Sequence, residues 1–195
     1  MMETAVLETE AAVPAEVRMP MTKAQFLVWD HTDDDGFLYE YDNGFAVQTT
    51  GMRKEERYII RNIQKAFRKT TAFAGDAYLY EENDVWVTET QKRVPDMAFF
   101  TDAQIRASVS DDAEPVPAFV VELISPSDKS DKVETKVMEY FAMGVQVVWH
   151  VHPALRMVRV FPSVRSATSY FESDTFSAAP VLPDLQMTVN ELFTL

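Results

Sequence analysis

The sequence predicts an α/β or α+β fold, with a central mixed β-sheet flanked by helices. Short apolar runs typical of strands recur along most of the 195 residues. Two longer stretches, 54–69 and 130–144, instead carry apolar residues at helical spacing. The second stretch lies between the apolar runs 118–124 and 146–151, which indicates one parallel strand–helix–strand crossover.

The composition is typical of one globular domain. Hydrophobic residues make up 47% and charged residues 25% of the chain. Cysteine is absent, which excludes disulfides and thiolate metal sites and favours a cytoplasmic location. No apolar run reaches the length of a membrane span, so we expect no membrane partner. We expect residues 1–20, which are acidic and contain Pro and Ala, to form a disordered arm, and residues 21–195 to form the single domain.

The net charge of −13 argues against a generally basic nucleic-acid binder, because neutralisation of phosphates supplies most non-specific affinity. The charge does not exclude a nuclease, since such a site concentrates carboxylates around a divalent cation.

The first elements are a short helix, 23–29, and two strands, 37–41 and 45–48. Asp42-Asn43-Gly44 between the strands is a strong hairpin signal, and Glu40 lies on the first strand. The run 33–36, Asp-Asp-Asp-Gly, is a turn that lacks the further spaced ligands and terminal Glu of a calcium loop.

The first long helix, 54–69, has an apolar face and a basic face. Arg57, Arg61 and Lys65 follow one another at four-residue spacing on the basic face. One interpretation is a solvated helix surface. The other is a phosphate-contacting ridge, which the scarcity of acidic residues along this face favours.

Further strands are predicted at 77–80 and 85–88, around a hairpin-like acidic turn, and at 94–100, where Asp96 stands among apolar residues. Residues 101–117 read as an exposed connection with a helical turn. Strands at 146–151, 157–161 and 169–171 follow, and a short apolar helix at 189–195 closes the chain. His150 and His152 share a strand face, but no third zinc ligand is evident nearby.

Residues 118–144 form a predicted strand, turn and helix that carry the main candidate site residues. The strand carries Glu122 within an otherwise apolar run, which is costly unless a partner, a metal or a proton offsets the desolvation. Ser125-Pro126-Ser127-Asp128 then forms a turn, and the helix ends at Gly144. Lys136 lies one residue from the apolar stripe of this helix, so its side chain can reach the strand end.

Asp96 and Glu122 are expected on neighbouring strands. Two buried carboxylates close together cannot both stay ionised cheaply, so the pKa of one of them rises. A divalent cation removes that difficulty, and Mg²⁺ prefers such oxygen ligands. The alternative is a structural role for both carboxylates, in which Lys136 forms an ion pair with Glu122 and takes no part in catalysis.

Several motifs together resemble the Uma-type restriction endonuclease family, a branch of the PD-(D/E)XK nuclease superfamily. The resemblance runs from about residue 21 to residue 195. It is carried by Tyr39-Glu40 before Asp42-Asn43-Gly44, Pro95-Asp96, Val121-Glu122-Leu123-Ile124-Ser125-Pro126-Ser127-Asp128, Lys136 with Tyr140, Gly144-Val145, Trp149, Leu182-Pro183-Asp184-Leu185 and Leu192-Phe193.

The resemblance implies a restriction-endonuclease-like core and hydrolysis of DNA phosphodiesters with Mg²⁺ or Mn²⁺. Asp96 and Glu122 would be metal ligands, and Lys136 and Glu40 further catalytic residues. The superfamily's lysine two residues after the strand glutamate is Ile124 here, so Lys136 would replace it. Glu56 stands where many members have a histidine, and His152-Pro153 replaces the family's Asp-Pro.

The leading hypothesis is therefore a metal-dependent endonuclease. The alternative is a catalytically inactive nuclease-like module that binds nucleic acid or protein, with a homodimer among the assemblies it allows. A third hypothesis is a hydrolase acting on another phosphate ester with the same carboxylates. Metal dependence separates the first hypothesis from the alternative.

Overall fold

The computed structural model describes residues 17–29, 37–49, 53–110 and 114–195, without the side chain of Glu55. The helices are α1 (Lys23–Val28), α2 (Arg57–Phe67), α3 (Thr71–Ala74), α4 (Asp102–Ser110), α5 (Ser130–Met143) and α6 (Val189–Leu192). The strands are β1 (Arg18–Pro20), β2 (Leu38–Asp42), β3 (Phe45–Thr49), β4 (Tyr78–Glu81), β5 (Val85–Thr88), β6 (Gln91–Arg93), β7 (Met97–Phe100), β8 (Phe119–Leu123), β9 (Val147–His152), β10 (Met157–Ser163), β11 (Ser166–Phe171), β12 (Thr175–Ala178) and β13 (Leu182–Thr188). Within these residues no helix is long and apolar enough to cross a membrane.

The main sheet has six strands in the order β11-β10-β9-β8-β7-β4. β8 and β9 pair in parallel, and the other pairs are antiparallel. Helix α5 connects the two parallel strands, which confirms the predicted crossover. It ends at Gly144, whose φ of 114° is the left-handed conformation that glycine adopts at low cost.

Both faces of the central strands β7, β8 and β9 are covered, and these strands are nearly continuous apolar runs. On one face, Phe119 and Val121 of β8 pack with α2, α6 and the two-stranded sheet β12-β13. On the other face, Val120 packs with Val137 and Tyr140 of α5. Because side chains alternate along a strand, Glu122 lies on the α5 face.

The second sheet has five strands in the order β1-β3-β2-β6-β5. The β2–β3 hairpin turns at Asn43 and Gly44, both at positive φ, as the Asn-Gly signal predicted. Phe26 of α1 packs on Tyr39, Tyr41 and Ala46, which form a small separate core.

Three predictions about the elements were incomplete or wrong. The acidic turn at 81–84 does not close a hairpin, because β4 pairs with β7 and β5 pairs with β6, in different sheets. The stretch 101–117 contains a nine-residue helix, α4. The segment 18–20, which we placed in the N-terminal arm, forms strand β1 beside β3. Residues 1–16 and the turn at 33–36 lie outside the described residues.

Candidate active site

Asp96 and Glu122 are neighbours across the β7–β8 pair. Met97 is in register with Val121, so Asp96, one residue before β7, lies beside Glu122. Asp96 Oδ2 accepts a hydrogen bond of 2.6 Å from the Leu123 backbone nitrogen. Glu122 is 7% exposed. The structure therefore brings together the two carboxylates that the sequence nominated as metal ligands.

Burial makes this pair difficult to ionise. The pKa of Asp96 is raised to about 8, first by burial and then by the negative charge of Glu122. Burial also raises the pKa of Glu122, although Lys136 and a hydrogen bond from Tyr140 oppose the shift. Without a cation the pair is therefore expected to retain a proton near neutral pH.

Lys136 of α5 reaches this cluster, as the sequence predicted. Its ammonium nitrogen Nζ lies 2.8 Å from Glu40 Oε1 and 3.9 Å from Glu122 Oε1. Burial lowers the pKa of Lys136, but the charges of Glu122 and Glu40 outweigh it, so the net pKa is raised. Lys136 is therefore a fixed cation at the site rather than a proton acceptor.

Glu40 of β2 is buried and bridges the two sheets. Besides Lys136, its Oε1 accepts a 3.3 Å hydrogen bond from the Val94 backbone nitrogen. Its Oε2 lies 3.8 Å from Arg93 NH1. Glu40 thus joins the site through contacts to both the α5 helix and the segment that leads to Asp96.

Tyr140 holds Glu122 from the same helix as Lys136. Its hydroxyl donates a 2.5 Å hydrogen bond to Glu122 Oε1, and its side chain is fully buried. Residues four apart share one face of a helix, which explains why Lys136 and Tyr140 meet the same carboxylate. The sequence placed Tyr140 in the core and did not identify this bond.

Arg93 is a charged residue of the cluster that sequence reasoning missed. It is 7% exposed, and its guanidinium donates two hydrogen bonds of 2.8 Å to Glu139 of α5. It also lies 3.6 Å from Asp42. The sequence signal for this residue was the basic pair Lys92-Arg93, which directly precedes an apolar strand in an acidic chain.

The donor set fits a hard divalent cation. Within residues 17–29, 37–49, 53–110 and 114–195, no three His, Cys, Asp or Glu side chains are grouped so that they could hold a metal alone. Two carboxylates with waters and substrate oxygens are, however, how Mg²⁺ is usually bound. Among the described residues, the Leu123 backbone nitrogen donates to Asp96 Oδ2 and the Tyr140 hydroxyl donates to Glu122 Oε1, which leaves the second oxygen of each carboxylate for a cation.

The basic residues of α2 are not brought to the carboxylates. Arg57, Arg61 and Lys65 are all exposed, as predicted, but α2 packs on the sheet face opposite Glu122. Arg61 lies 3.5 Å from the carbonyl oxygen of Thr194 and contacts its neighbour Asn62. Any contact of this ridge with nucleic acid would therefore be away from the cluster itself.

The remaining motifs lie around the site. His150 is in register with Glu122 and 1% exposed, and neither ring nitrogen has a hydrogen-bond partner among the described residues. Burial lowers its pKa to about 3, so the ring is neutral. Its ring centroid is 6.2 Å from that of His152, and the described residues supply no third zinc ligand. Glu56, at the family's histidine position, lies 3.7 Å from Arg53.

A family model and a solved structure both match this chain. A family model named Uma2, described as putative restriction endonuclease, matches residues 24–190. A solved structure described as a putative nuclease belonging to DUF820, from Anabaena variabilis ATCC 29413, superposes with a TM-score of 0.70. It is 20% identical and covers 89% of this chain and 98% of its own, which shows the fold. No curated protein matches.

Proposed function

This chain belongs to the Uma2 family of restriction-endonuclease-like proteins, and we propose that it is a metal-dependent endonuclease that hydrolyses DNA phosphodiester bonds. The observation that carries this proposal is the pair of buried Glu122 and partly buried Asp96, with the Lys136 ammonium 3.9 Å from Glu122. Such a pair is costly as a purely structural feature and is well suited to a divalent cation.

Asp96 and Glu122 would hold Mg²⁺ or Mn²⁺. When bound, such a cation polarises a phosphoryl oxygen and lowers the pKa of a coordinated water. Tyr140 would orient Glu122 through its hydroxyl, so that the free carboxylate oxygen faces the cation. The Leu123 backbone nitrogen would orient Asp96 in the same way.

Lys136 would stabilise negative charge on the phosphate as it is attacked, because a fixed ammonium costs no reorganisation during the reaction. Its raised pKa keeps the proton on Nζ, so Lys136 supplies charge rather than basicity. Glu40 would act as a positioning residue that holds this ammonium beside Glu122.

Arg57, Arg61 and Lys65 would contact the phosphate backbone at a distance from the cluster. Their support is exposure and four-residue spacing along α2 in an otherwise acidic chain. Replacing all three by Gln should weaken DNA binding and reduce the slope of its salt dependence. Unchanged binding with an unchanged slope would remove the ridge from the proposal.

One observation favours the alternative, an inactive nuclease-like binding module. Lys136 already pairs Glu40 and lies near Glu122, so the charges are partly satisfied without a cation. Metal binding separates the two candidates. We would titrate Mg²⁺ and Mn²⁺ by calorimetry into wild type, Asp96→Asn and Glu122→Gln, with Glu89→Gln, whose side chain is 97% exposed, as the matched control.

If wild type and Glu89→Gln bind the metal and both site variants do not, the result would support the endonuclease and justify a cleavage assay on DNA. Absence of binding to folded wild type, with and without DNA, would favour the inactive module. DNA cleavage that needs Mg²⁺ or Mn²⁺ and disappears in both variants would complete the test.

A further inference from the structure

A cavity of 450 Å³ opens at the carboxyl ends of the parallel strands β8 and β9. Pro126, in the turn after β8, and Pro153, at the end of β9, form one part of its wall. Tyr58 at the start of α2 and Phe193 after α6 form another part. Crevices outside the carboxyl ends of parallel strands are where α/β sheets bind ligands. The cavity is therefore a candidate ligand site at the end of the sheet where Asp96 and Glu122 also lie.

Two guanidinium groups line this cavity, in a chain whose net charge is −13. Arg53 donates a hydrogen bond through NH2 to the Ser125 hydroxyl and lies 3.7 Å from Glu56, which also lines the cavity. The Arg156 guanidinium lies over the Phe193 ring, 5.2 Å from its centroid. Both cations are thus held at the wall by neighbouring side chains and not only by solvent.

The site is close to the proposed metal ligands along the chain. Ser125, which Arg53 contacts, is three residues after Glu122, a separation of at most about 10 Å in extended chain. Two or three nucleotides of one strand cover such a distance, at about 3.4 Å of helical rise each.

We propose that this cavity binds one nucleotide of the DNA strand, a few positions from the phosphate that is cleaved; this rests on the endonuclease proposed above. Arg53 and Arg156 bind its phosphate, because the planar guanidinium matches phosphate oxygens with paired donors. The partly buried Tyr58 ring and the proline walls contact its base and sugar, as aromatic side chains do in single-strand sites. A cavity of this volume lies within the range of small-ligand sites.

The test measures DNA binding without cleavage. Fluorescence anisotropy with a short labelled DNA duplex, and with the same strand alone, would be recorded in EDTA for wild type, Arg53→Gln and Arg156→Gln. Arg165→Gln, an exposed arginine outside the cavity, is the charge-matched control. Each cavity variant should weaken binding about fivefold to tenfold and lower the salt slope by about one. The control should change neither.

The outcomes separate this proposal from the endonuclease. If wild type cleaves DNA but both cavity variants bind like Arg165→Gln, the nucleotide site is wrong and the endonuclease stands. If wild type binds neither duplex nor single strand, the nucleotide site is also wrong. Retained binding in Asp96→Asn with loss in the cavity variants supports a site distinct from the metal ligands.

A second measurement needs no variant. A strand carrying 5-iododeoxyuridine would be cross-linked to wild type by ultraviolet light, and the adducts mapped by mass spectrometry. An adduct on Tyr58 supports the proposal. Adducts confined to residues outside the cavity overturn it, whatever the variants do to folding.

Discussion

The Lys136 ammonium lies 2.8 Å from Glu40 Oε1, although the two residues are 96 positions apart in the chain. Lys136 belongs to the crossover helix of the six-stranded sheet, and Glu40 to the second strand of the five-stranded sheet. The candidate site is therefore assembled between two sheets. Its geometry depends on their packing as well as on the strands that carry Asp96 and Glu122.

Replacing Lys136 by Met should lower DNA cleavage by about 100-fold or more, the scale of losing one fixed charge-stabilising donor. It should also reduce the free energy of unfolding by about 1–3 kcal/mol, because Glu40 loses a charged hydrogen bond. Urea unfolding and a cleavage assay measure the two effects. Lys129→Met, at an exposed position just before the same helix, should change neither.

A second variant separates stability from catalysis at Lys136. Adding Glu40→Gln to Lys136→Met should recover part of the lost stability, because the unpaired carboxylate is removed. It should not recover cleavage. Recovery of cleavage in the double variant would contradict the assignment of Lys136 as the cation at the phosphate.

The raised pKa of Asp96 predicts how the metal-free protein responds to pH. Between the ordinary value of 3.8 and about 8, the native state holds a proton that the unfolded chain has released. The free energy of unfolding should therefore fall as pH rises through this window, by up to about 1.4 kcal/mol per unit, and level off above it.

Urea unfolding in EDTA across pH 7 to 8, where histidines contribute little, measures this slope. Asp96→Asn should flatten it, whereas Glu89→Gln should leave it intact. Mg²⁺ should raise stability most at the alkaline end, because the cation binds the ionised carboxylates. A slope that Asp96→Asn leaves unchanged would assign the proton to another group.

Because native His150 is neutral, we expect the free energy of unfolding to show the opposite pH dependence below pH 6.5. Its pKa is lowered to about 3 by burial and by the positive charges of His152, Arg159 and Lys136, while Glu122 is its register partner. Between pH 6.5 and 3 the unfolded chain gains a proton that native His150 does not accept. Stability that is present above pH 6.5 is therefore lost as pH falls.

His150→Leu should remove this loss, because leucine fills a similar space and carries no titratable group. The unfolding free energy of the variant relative to wild type should grow by up to about 1.4 kcal/mol per unit as pH falls from 6.5. Denaturation curves at matched pH values measure the difference. A difference that stays constant with pH would show that His150 becomes protonated in the native state.

Much of this arrangement could be predicted from the sequence because local patterns determine it. The apolar run around Glu122, the turn at Ser125 and the helical spacing to Gly144 fix a strand, a turn and a helix. The same patterns pointed to Asp96 and Lys136, and the family resemblance added Glu40; the structure brings these residues together. Their roles in metal binding and catalysis stay predictions.

The rest depends on which strands pair, which local patterns do not reveal. The turn at 81–84 looks like a hairpin, but its flanking strands join different sheets. Arg93, on the strand that pairs with β5, is buried in the fold. Tyr140 reads as a core residue because its ring is apolar, and only the folded structure shows its hydroxyl on Glu122. Sequence reasoning therefore missed the hydrogen bonds and ion pairs between polar groups that are distant in the chain.

Arg93 provides the last prediction, since it links the second sheet to α5 through Glu139. Arg93→Met should cost about 3–5 kcal/mol of stability, because buried Glu40 and partly buried Glu139 lose a partner. Arg106→Met is the matched control. Arg106 forms a 2.7 Å ion pair with Asp102, and its side chain is 74% exposed. Such surface ion pairs contribute little to stability.

Urea unfolding of both variants measures the contrast, and Arg93→Met/Glu139→Met tests its cause. If the cost comes from an unpaired carboxylate, the double variant should be more stable than Arg93→Met alone. If Arg93 acts only through packing of its apolar stem, removing Glu139 as well should bring no recovery. A loss in Arg93→Met no larger than that in Arg106→Met would show that the two sheets are held together without this ion pair.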